Sequence, residues 1–191
     1  MGTTRVVGTQ VLARDGTVLA PGDDANITVV DAVPIRRSPT DIRVLLAWSL
    51  ESLVAQARAA DITLDISVDD RVPTLVSIDG DKIAWAISAL VGNALRYVRH
   101  GSQRMPGGSI RVRVGYQAVR PSVVIEVQDD GPGIPIKKRS ELFGDGPGSP
   151  RAGLGLLIVR DFVIAHGGHL DISSLTDAAE SGTTARFTLP I

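Results

Sequence analysis

From Asp81 to His100 the apolar positions recur at three- and four-residue steps. Ile83, Ala84, Ala86, Ile87, Leu90, Val91, Ala94, Leu95 and Val98 fall on one broad side. That spacing predicts a helix with the side turned to a core. A second helical pattern runs to about Ala60, with Ile42, Leu45, Leu46, Leu50, Leu53, Val54 and Ala57 in register. Its predicted start is Ser38-Pro39-Thr40-Asp41, with Ser38 as cap, Pro39 in the first turn and Asp41 at the capping-box position. Between the helices, Ile62, Leu64, Ile66 and Val68 alternate with polar residues, as in a half-buried strand. Thr74 to Ile78 reads as a shorter strand, and Asp79-Gly80 as the turn before the Asp81 helix.

Beyond His100 the period changes. Ile110, Val112 and Val114 alternate with Arg111, Arg113 and Gly115, and a turn near Arg120-Pro121 leads to Val123–Val127. The pair is expected to form an antiparallel hairpin. Gly153-Leu154-Gly155 opens a helix to about Ala165, which Gly167-Gly168 ends. His169–Ser173 and Thr183–Leu189 read as the last two strands. Helices and strands in this succession, with hairpins, predict an α+β two-layer sandwich rather than a doubly wound sheet. The segment 135–152 is rich in Gly, Pro and charge, with Leu142 and Phe143 as its only apolar anchor, and reads as a mobile loop. Residues 1–37 read as an extension or linker ahead of a domain over 38–191. Within it, Asp15-Gly16 between two short apolar runs in Thr9–Ala20 suggests a hairpin. Asn26–Ile35 suggests a further strand.

Composition removes several kinds of function. The chain has 191 residues and a net charge of −1, which gives no electrostatic case for nucleic acid as the main partner. It contains no cysteine, so disulfides, a thiolate nucleophile and thiolate metal sites are excluded. His100, His166 and His169 are the only histidines, a poor supply for a multi-histidine metal site. No apolar run approaches the roughly 18 residues of a membrane span. A cytoplasmic segment without membrane contact is the expectation.

Four sites recur along the second half of the chain. Asn93 interrupts the Asp81 helix, with Arg96 and Tyr97 one turn on. Asp129 ends a strand and is followed by Gly131 and Gly133. Gly153 and Gly155 stand at a helix start, and Gly182-Thr183-Thr184 enters a strand. Each alone is ordinary: a buried Asn, a turn, tight packing, a strand entry. Together they suit a nucleotide. A carboxylate at Asp129 accepts a hydrogen bond from an exocyclic amine, which favours adenine over guanine. Gly131 and Gly133 let the backbone approach a flat ring. Gly153 and Gly155 expose amides at a helix N-terminus, a phosphate cradle. The Asn93 carbonyl can ligate Mg²⁺, a hard ion that takes oxygen ligands, and Arg96 can neutralise phosphate charge. Neither a phosphate-binding P-loop nor a dinucleotide fingerprint is present.

NALRY at 93–97, DDGPGIP at 129–135, Leu142-Phe143, GLGLLIV at 153–159, AHGG at 165–168 and GTTARFTLPI at 182–191 follow one another in the chain. In content and order they resemble the motifs of the Bergerat or GHKL ATP-binding domain shared by sensor histidine kinases, gyrase, MutL and heat-shock chaperones. The likeness spans about residues 40–191 and is nearest to the histidine-kinase branch. It implies a mixed sheet of about five strands backed by three helices, with ATP between helices and a lid at 135–152. It implies that Asn93 holds Mg²⁺, that Asn93 and Arg96 serve catalysis, and that Asp129 reads the adenine amine. Tyr97, Gly131, Gly133, Ile134, Gly153, Leu154, Gly155 and Leu156 would complete the nucleotide site, with Thr183 or Thr184 on the adenine side. Lys137, Lys138, Arg139 and Arg151 are candidates for phosphate contacts, weighed against solvated lid charges.

Two departures shape the expected activity. ATP-hydrolysing members and anti-sigma serine kinases carry a Glu one turn before the Asn as general base. Here the position is Ala89, which takes no proton. None of the three histidines has the setting of a phosphoacceptor. The resemblance thus implies a protein histidine kinase catalytic domain that binds Mg-ATP. It would pass the γ-phosphate to a histidine on a dimerisation domain, in cis or in trans, with a response regulator downstream. An anti-sigma-type kinase or switch protein, or a non-enzymatic ATP-binding regulator, are the alternatives.

Overall fold

Asp41, not Ser38, starts the first helix. In the computed structural model its backbone is extended, and its carboxylate accepts from the amides of Arg43 and Val44 at 2.8 and 3.3 Å. Both Ser and Asp are good caps, and tertiary pairing decides between them. Residues Ser38–Asp41 are drawn into a strand, β3, antiparallel to Leu75–Ile78. Pro39 is tolerated in so short a ribbon because it need not donate to the ladder. The structure describes residues 5–7, 10–12, 33–101, 106–135, 154–176 and 181–191, with backbone alone for 5–7, 10–12 and 154.

The chain divides into two units, Met1–Val33 and Pro34–Ile191. In the first, Arg5–Val7 (β1) pairs antiparallel with Gln10–Leu12 (β2), with Val7 opposite Gln10. Residues 10–12 thus pair with residues on their amino-terminal side, and the Asp15-Gly16 turn lies outside the described residues. So do the run after that turn and the strand expected from Asn26, apart from 33–35, which are in no strand.

In the second unit, β3 leads into α1 (Ile42–Ala59), β4 (Thr63–Val68), β5 (Leu75–Ile78), α2 (Gly80–Tyr97), β6 (Ser109–Gln117) and β7 (Ser122–Asp129). After the described gap come α3 (Leu154–Ala165), β8 (His169–Leu175) and β9 (Gly182–Pro190). The main sheet has five strands in the order β4-β6-β7-β9-β8. Only β4 and β6 run parallel, so the sheet is mixed. This is the expected two-layer α+β sandwich with three described helices.

The apolar pattern decides which face is covered. Ile110, Val112 and Val114 of β6, Val123, Ile125 and Val127 of β7, and Ala185, Phe187 and Leu189 of β9 are buried. So is every residue of the apolar side read in α2, from Ile83 to Val98. Leu45, Leu46 and Leu50 of α1 and Val159 and Val163 of α3 close the same core. The other face of the sheet carries charge. The register sets Asp65 opposite Arg111 and forms a row Arg113–Glu126–Arg186–Asp171, in which neighbours alternate in sign. Opposite charges side by side on a sheet are mildly stabilising, which suits a face left in water.

A buried polar knot ties the helices to the start of the unit. Asp79 caps α2, its carboxylate accepting from the Lys82 amide at 3.3 Å and the Lys82 ammonium at 2.8 Å. The amide of Arg36 also donates to it at 2.8 Å. His166, only 1% exposed, accepts from the Asp79 amide at Nε2 (3.0 Å). Its Nδ1 lies 2.7 Å from the Phe162 carbonyl, so Nδ1 holds the proton. The Arg37 guanidinium donates to the His166 carbonyl at 2.8 Å. Burial keeps the imidazole below its ordinary pKa, with the positive charges of Arg37 and Lys82 acting the same way. Asp79 feels an opposing balance. Burial pushes it up, but the Arg36 amide and the Lys82 groups outweigh burial and hold it at about 2.

Candidate functional site

The carboxyl-terminal half of α2 turns Asn93, Arg96 and Tyr97 to solvent while Ala94 and Leu95 stay buried. That split follows from helical period: i, i+3 and i+4 share a face. The Arg96 guanidinium lies 5.9 Å from the Tyr97 ring centre, within cation–π range. The patch read in the sequence therefore exists as one surface at the helix end.

The end of β7 meets this surface. Asp129 is half-buried, and its Oδ1 accepts from the Gly131 amide at 2.9 Å and the Thr183 amide at 3.3 Å. Burial pushes this carboxyl above its ordinary range, the two amides pull it down, and neighbouring Asp130 pushes it up again. The net direction is upward. Asp130 points the other way and holds Ser109, accepting from its amide at 2.8 Å and its hydroxyl at 3.0 Å. Of two adjacent acids, one is thus a strand clamp and the other has an oxygen, Oδ2, that accepts no hydrogen bond among the described residues.

Glycine is required here by close approach. A Cβ at Gly131 would stand 2.7 Å from Asp129 Oδ1 and 3.4 Å from the Tyr97 carbonyl oxygen, so the turn packs on the end of α2. Gly133 has φ +70°, and a Cβ there would fall 1.9 Å from the Leu175 carbonyl oxygen. A Cβ at Gly182 would fall 2.2 Å from the Asp129 carbonyl oxygen. The glycines bring the ends of β7, β8 and β9 together, with Asp129 at the junction.

The register separates two candidates the sequence leaves equal. Thr183 pairs with Asp129, whereas Thr184 pairs with Gln128 and Ser173 on the opposite side of the strand. Thr183 therefore stands with the carboxylate and Thr184 on the charged face. Ile134 reaches the junction through its amide, which donates to Ser174 Oγ at 2.7 Å. Leu156 is 8% exposed and packs in the core. Gly155 has open space at its Cβ position, in the first turn of α3 behind Leu154. Gly153, Lys137, Lys138, Arg139, Arg151, Leu142 and Phe143 lie outside the described residues.

Ser174 is the residue missed from the sequence. It is 6% exposed, donates to the Gly182 carbonyl at 2.7 Å and lies 3.2 Å from Thr183 Oγ1. Its signal is parity: Leu170, Ile172 and Ser174 share the inward side of β8, so the last is a hydroxyl where an apolar residue is expected. Among the described residues no group of three or more His, Cys, Asp or Glu is placed to hold a metal ion. A metal here would depend on oxygens such as that of Asn93 together with those of its ligand. No described helix is long and apolar enough to cross a membrane.

Comparison with known proteins gives this geometry relatives. Residues 78–191 match the family model described as histidine kinase-, DNA gyrase B-, and HSP90-like ATPase. The adaptive-response sensory kinase SasA of Synechococcus sp. (strain JA-3-3Ab) is 30% identical over 163 residues, 82% of this chain and 40% of that protein. The signal transduction histidine-protein kinase/phosphatase MprB of Mycolicibacterium smegmatis is 31% identical over 176 residues, 88% of this chain and 33% of that protein. The chain thus spans less than half the length of these curated relatives. Among solved structures, the mycobacterial sensor histidine kinase MprB matches with a TM-score of 0.64 and 30% identity, over 81% of this chain and 97% of that one. Full-length ShkA in complex with AMPPNP matches with a TM-score of 0.68 over 83% of this chain and 32% of that one. Its 24% identity bears on the fold alone.

Proposed function

The chain belongs to the family of histidine kinase-, DNA gyrase B- and HSP90-like ATPases, and we propose that it is the ATP-binding catalytic part of a sensor histidine kinase. It binds Mg-ATP and presents the γ-phosphate to a histidine on a dimerisation domain, in the same longer protein or another chain. A response regulator then receives the phosphoryl group, in the cytoplasm. The observation that carries this reading is the half-buried Asp129 carboxylate, with Oδ1 held by two amides and Oδ2 left for a ligand. A fixed acceptor on a glycine-lined turn suits the exocyclic amine of adenine. The kinases named among the relatives support the direction of transfer.

The chain's own residues have separable tasks. Asp129 orients the base, and Gly131 and Gly133 allow the ring to lie against backbone. Tyr97 covers the adjoining end of α2. Asn93 offers an amide oxygen to Mg²⁺, and Arg96 offers positive charge to phosphate. When bound, Mg²⁺ screens phosphate charge and orients the transferred group. Ala89, one turn before Asn93, can take no proton, which supports transfer to a histidine over hydrolysis or serine phosphorylation. His166 is unsuited as acceptor, since both ring nitrogens are engaged and the ring is buried. Catalysis then rests on positioning and charge neutralisation.

The test is incubation with γ-labelled ATP and a panel of histidine-bearing dimerisation domains. Label on an acceptor domain that is acid-labile and base-stable is the expected result. Acid-stable label on serine, or tight ATP binding with no transfer to any domain, would reject it.

A further inference from the structure

The Ser174 hydroxyl has one proton and two lone pairs, and three described neighbours lie within hydrogen-bond reach of it. The Ile134 amide donates to Oγ at 2.7 Å. The Gly182 carbonyl, which can only accept, takes the serine proton at 2.7 Å. Thr183 Oγ1 lies 3.2 Å away. Because the serine proton is already given to Gly182, Thr183 is the donor in this third contact. The threonine proton is thereby directed away from the site, and only its oxygen lone pairs remain to meet a ligand. Thr183 is also the register partner of Asp129 and donates its amide to Oδ1. Two acceptors with no proton to offer therefore stand side by side: Asp129 Oδ2 and Thr183 Oγ1.

We infer that Ser174 is a specificity-determining positioning residue, which fixes the Thr183 hydroxyl as an acceptor so that the site selects bases bearing an exocyclic amine over bases bearing a carbonyl. This rests on the nucleotide reading above. The same hydroxyl holds the glycine turn through Ile134, and the approach of Gly133 to the Leu175 carbonyl keeps that turn against β8. An adenine amine meets lone pairs there. A guanine carbonyl in that place meets two acceptors and finds no donor, an unpaired arrangement that discriminates strongly.

The experiment measures Mg-ATP and Mg-GTP affinities of the whole chain by calorimetry, for wild type, Ser174→Ala, Thr183→Val and the double variant. Wild type is expected to prefer ATP. Ser174→Ala releases the threonine proton to turn toward the site, and the preference narrows about tenfold, the scale of one hydrogen bond. Thr183→Val narrows it similarly, and the double variant narrows it no further than Thr183→Val alone, since the two residues act as one unit. Equal losses for both nucleotides in Ser174→Ala, with the preference kept, would make the serine a structural staple only and overturn the inference. If melting without nucleotide shows Ser174→Ala unfolded, Thr183→Val decides, and an unchanged preference there overturns it. A wild type that binds neither nucleotide removes the nucleotide reading itself, which separates the two failures.

Discussion

Asp129 is held where its charge is unfavourable, and that gives it a double signature. Its folded pKa lies above the unfolded one, so the folded chain binds the proton more tightly and stability falls as pH rises above the usual carboxylate range. Asparagine keeps an oxygen for the Gly131 and Thr183 amides without the buried charge. Asp129→Asn is therefore expected to melt at or above the wild-type temperature without nucleotide, while Mg-ATP affinity falls by at least about 1–2 kcal/mol. Asn93→Asp is expected to lose a similar amount of affinity, and calorimetry on both variants checks the pair. His166 gives a pH effect of known sign. Its folded pKa is depressed, so its contribution is complete above about 6.5 and is lost as pH falls below that value. Urea titrations at pH 8, 6 and 5 should show stability dropping toward pH 5, and a flatter profile in His166→Gln. Asn93 and Asp129 were legible because each is a costly residue type at a marked place: an amide in a helix interior, an acid before paired glycines. Ser174 was not, because a serine in a strand looks ordinary until its partners across β9 are known. The choice between Thr183 and Thr184 is likewise a matter of register, which no local pattern carries.

Among the elements, α2 was the most legible, since every apolar position in its pattern is buried in the fold. One weak point in it is Gly92, whose Cβ position has no atom within 4 Å. Gly92→Ala is expected to stabilise the nucleotide-free protein by about 0.5–1 kcal/mol, the ordinary helix penalty of glycine, as chemical denaturation would register. Gly133→Ala should do the reverse. It adds an L side chain at positive φ and drives a methyl into the Leu175 carbonyl, so both stability and Mg-ATP affinity fall. Where element boundaries were misread, a distant partner was responsible. The Ser38 cap lost to Asp41 because β5, some 35 residues on, pairs with Ser38–Asp41. The Asp15-Gly16 turn lies outside the described residues, among which β2 pairs with β1.

At the scale of the whole molecule, the two-layer design was legible because the switch from helical to strand period, repeated in order, leaves few alternatives. Its division is testable. The unit Pro34–Ile191 holds its own core and every described residue of the candidate site. A chain trimmed to 34–191 is expected to melt cooperatively and to bind Mg-ATP with the affinity of the whole chain. Loss of binding on trimming would give residues 1–33 a part in the site.

The knot around His166 has a mechanical consequence. The chain enters the unit at Pro34, and its first anchors are the Arg36 amide on Asp79 and the Arg37 side chain on the His166 carbonyl. Tension applied there reaches the amino end of α2 and the carboxyl end of α3 before the central strands. From those ends α2 runs about 20 Å to Asn93 and α3 about 15 Å to Gly155, at 1.5 Å per residue. The two helices are thus held at one end each by the same Asp79–His166 contact. A pull at the chain's entry would therefore act on both helices at once, through their shared anchor.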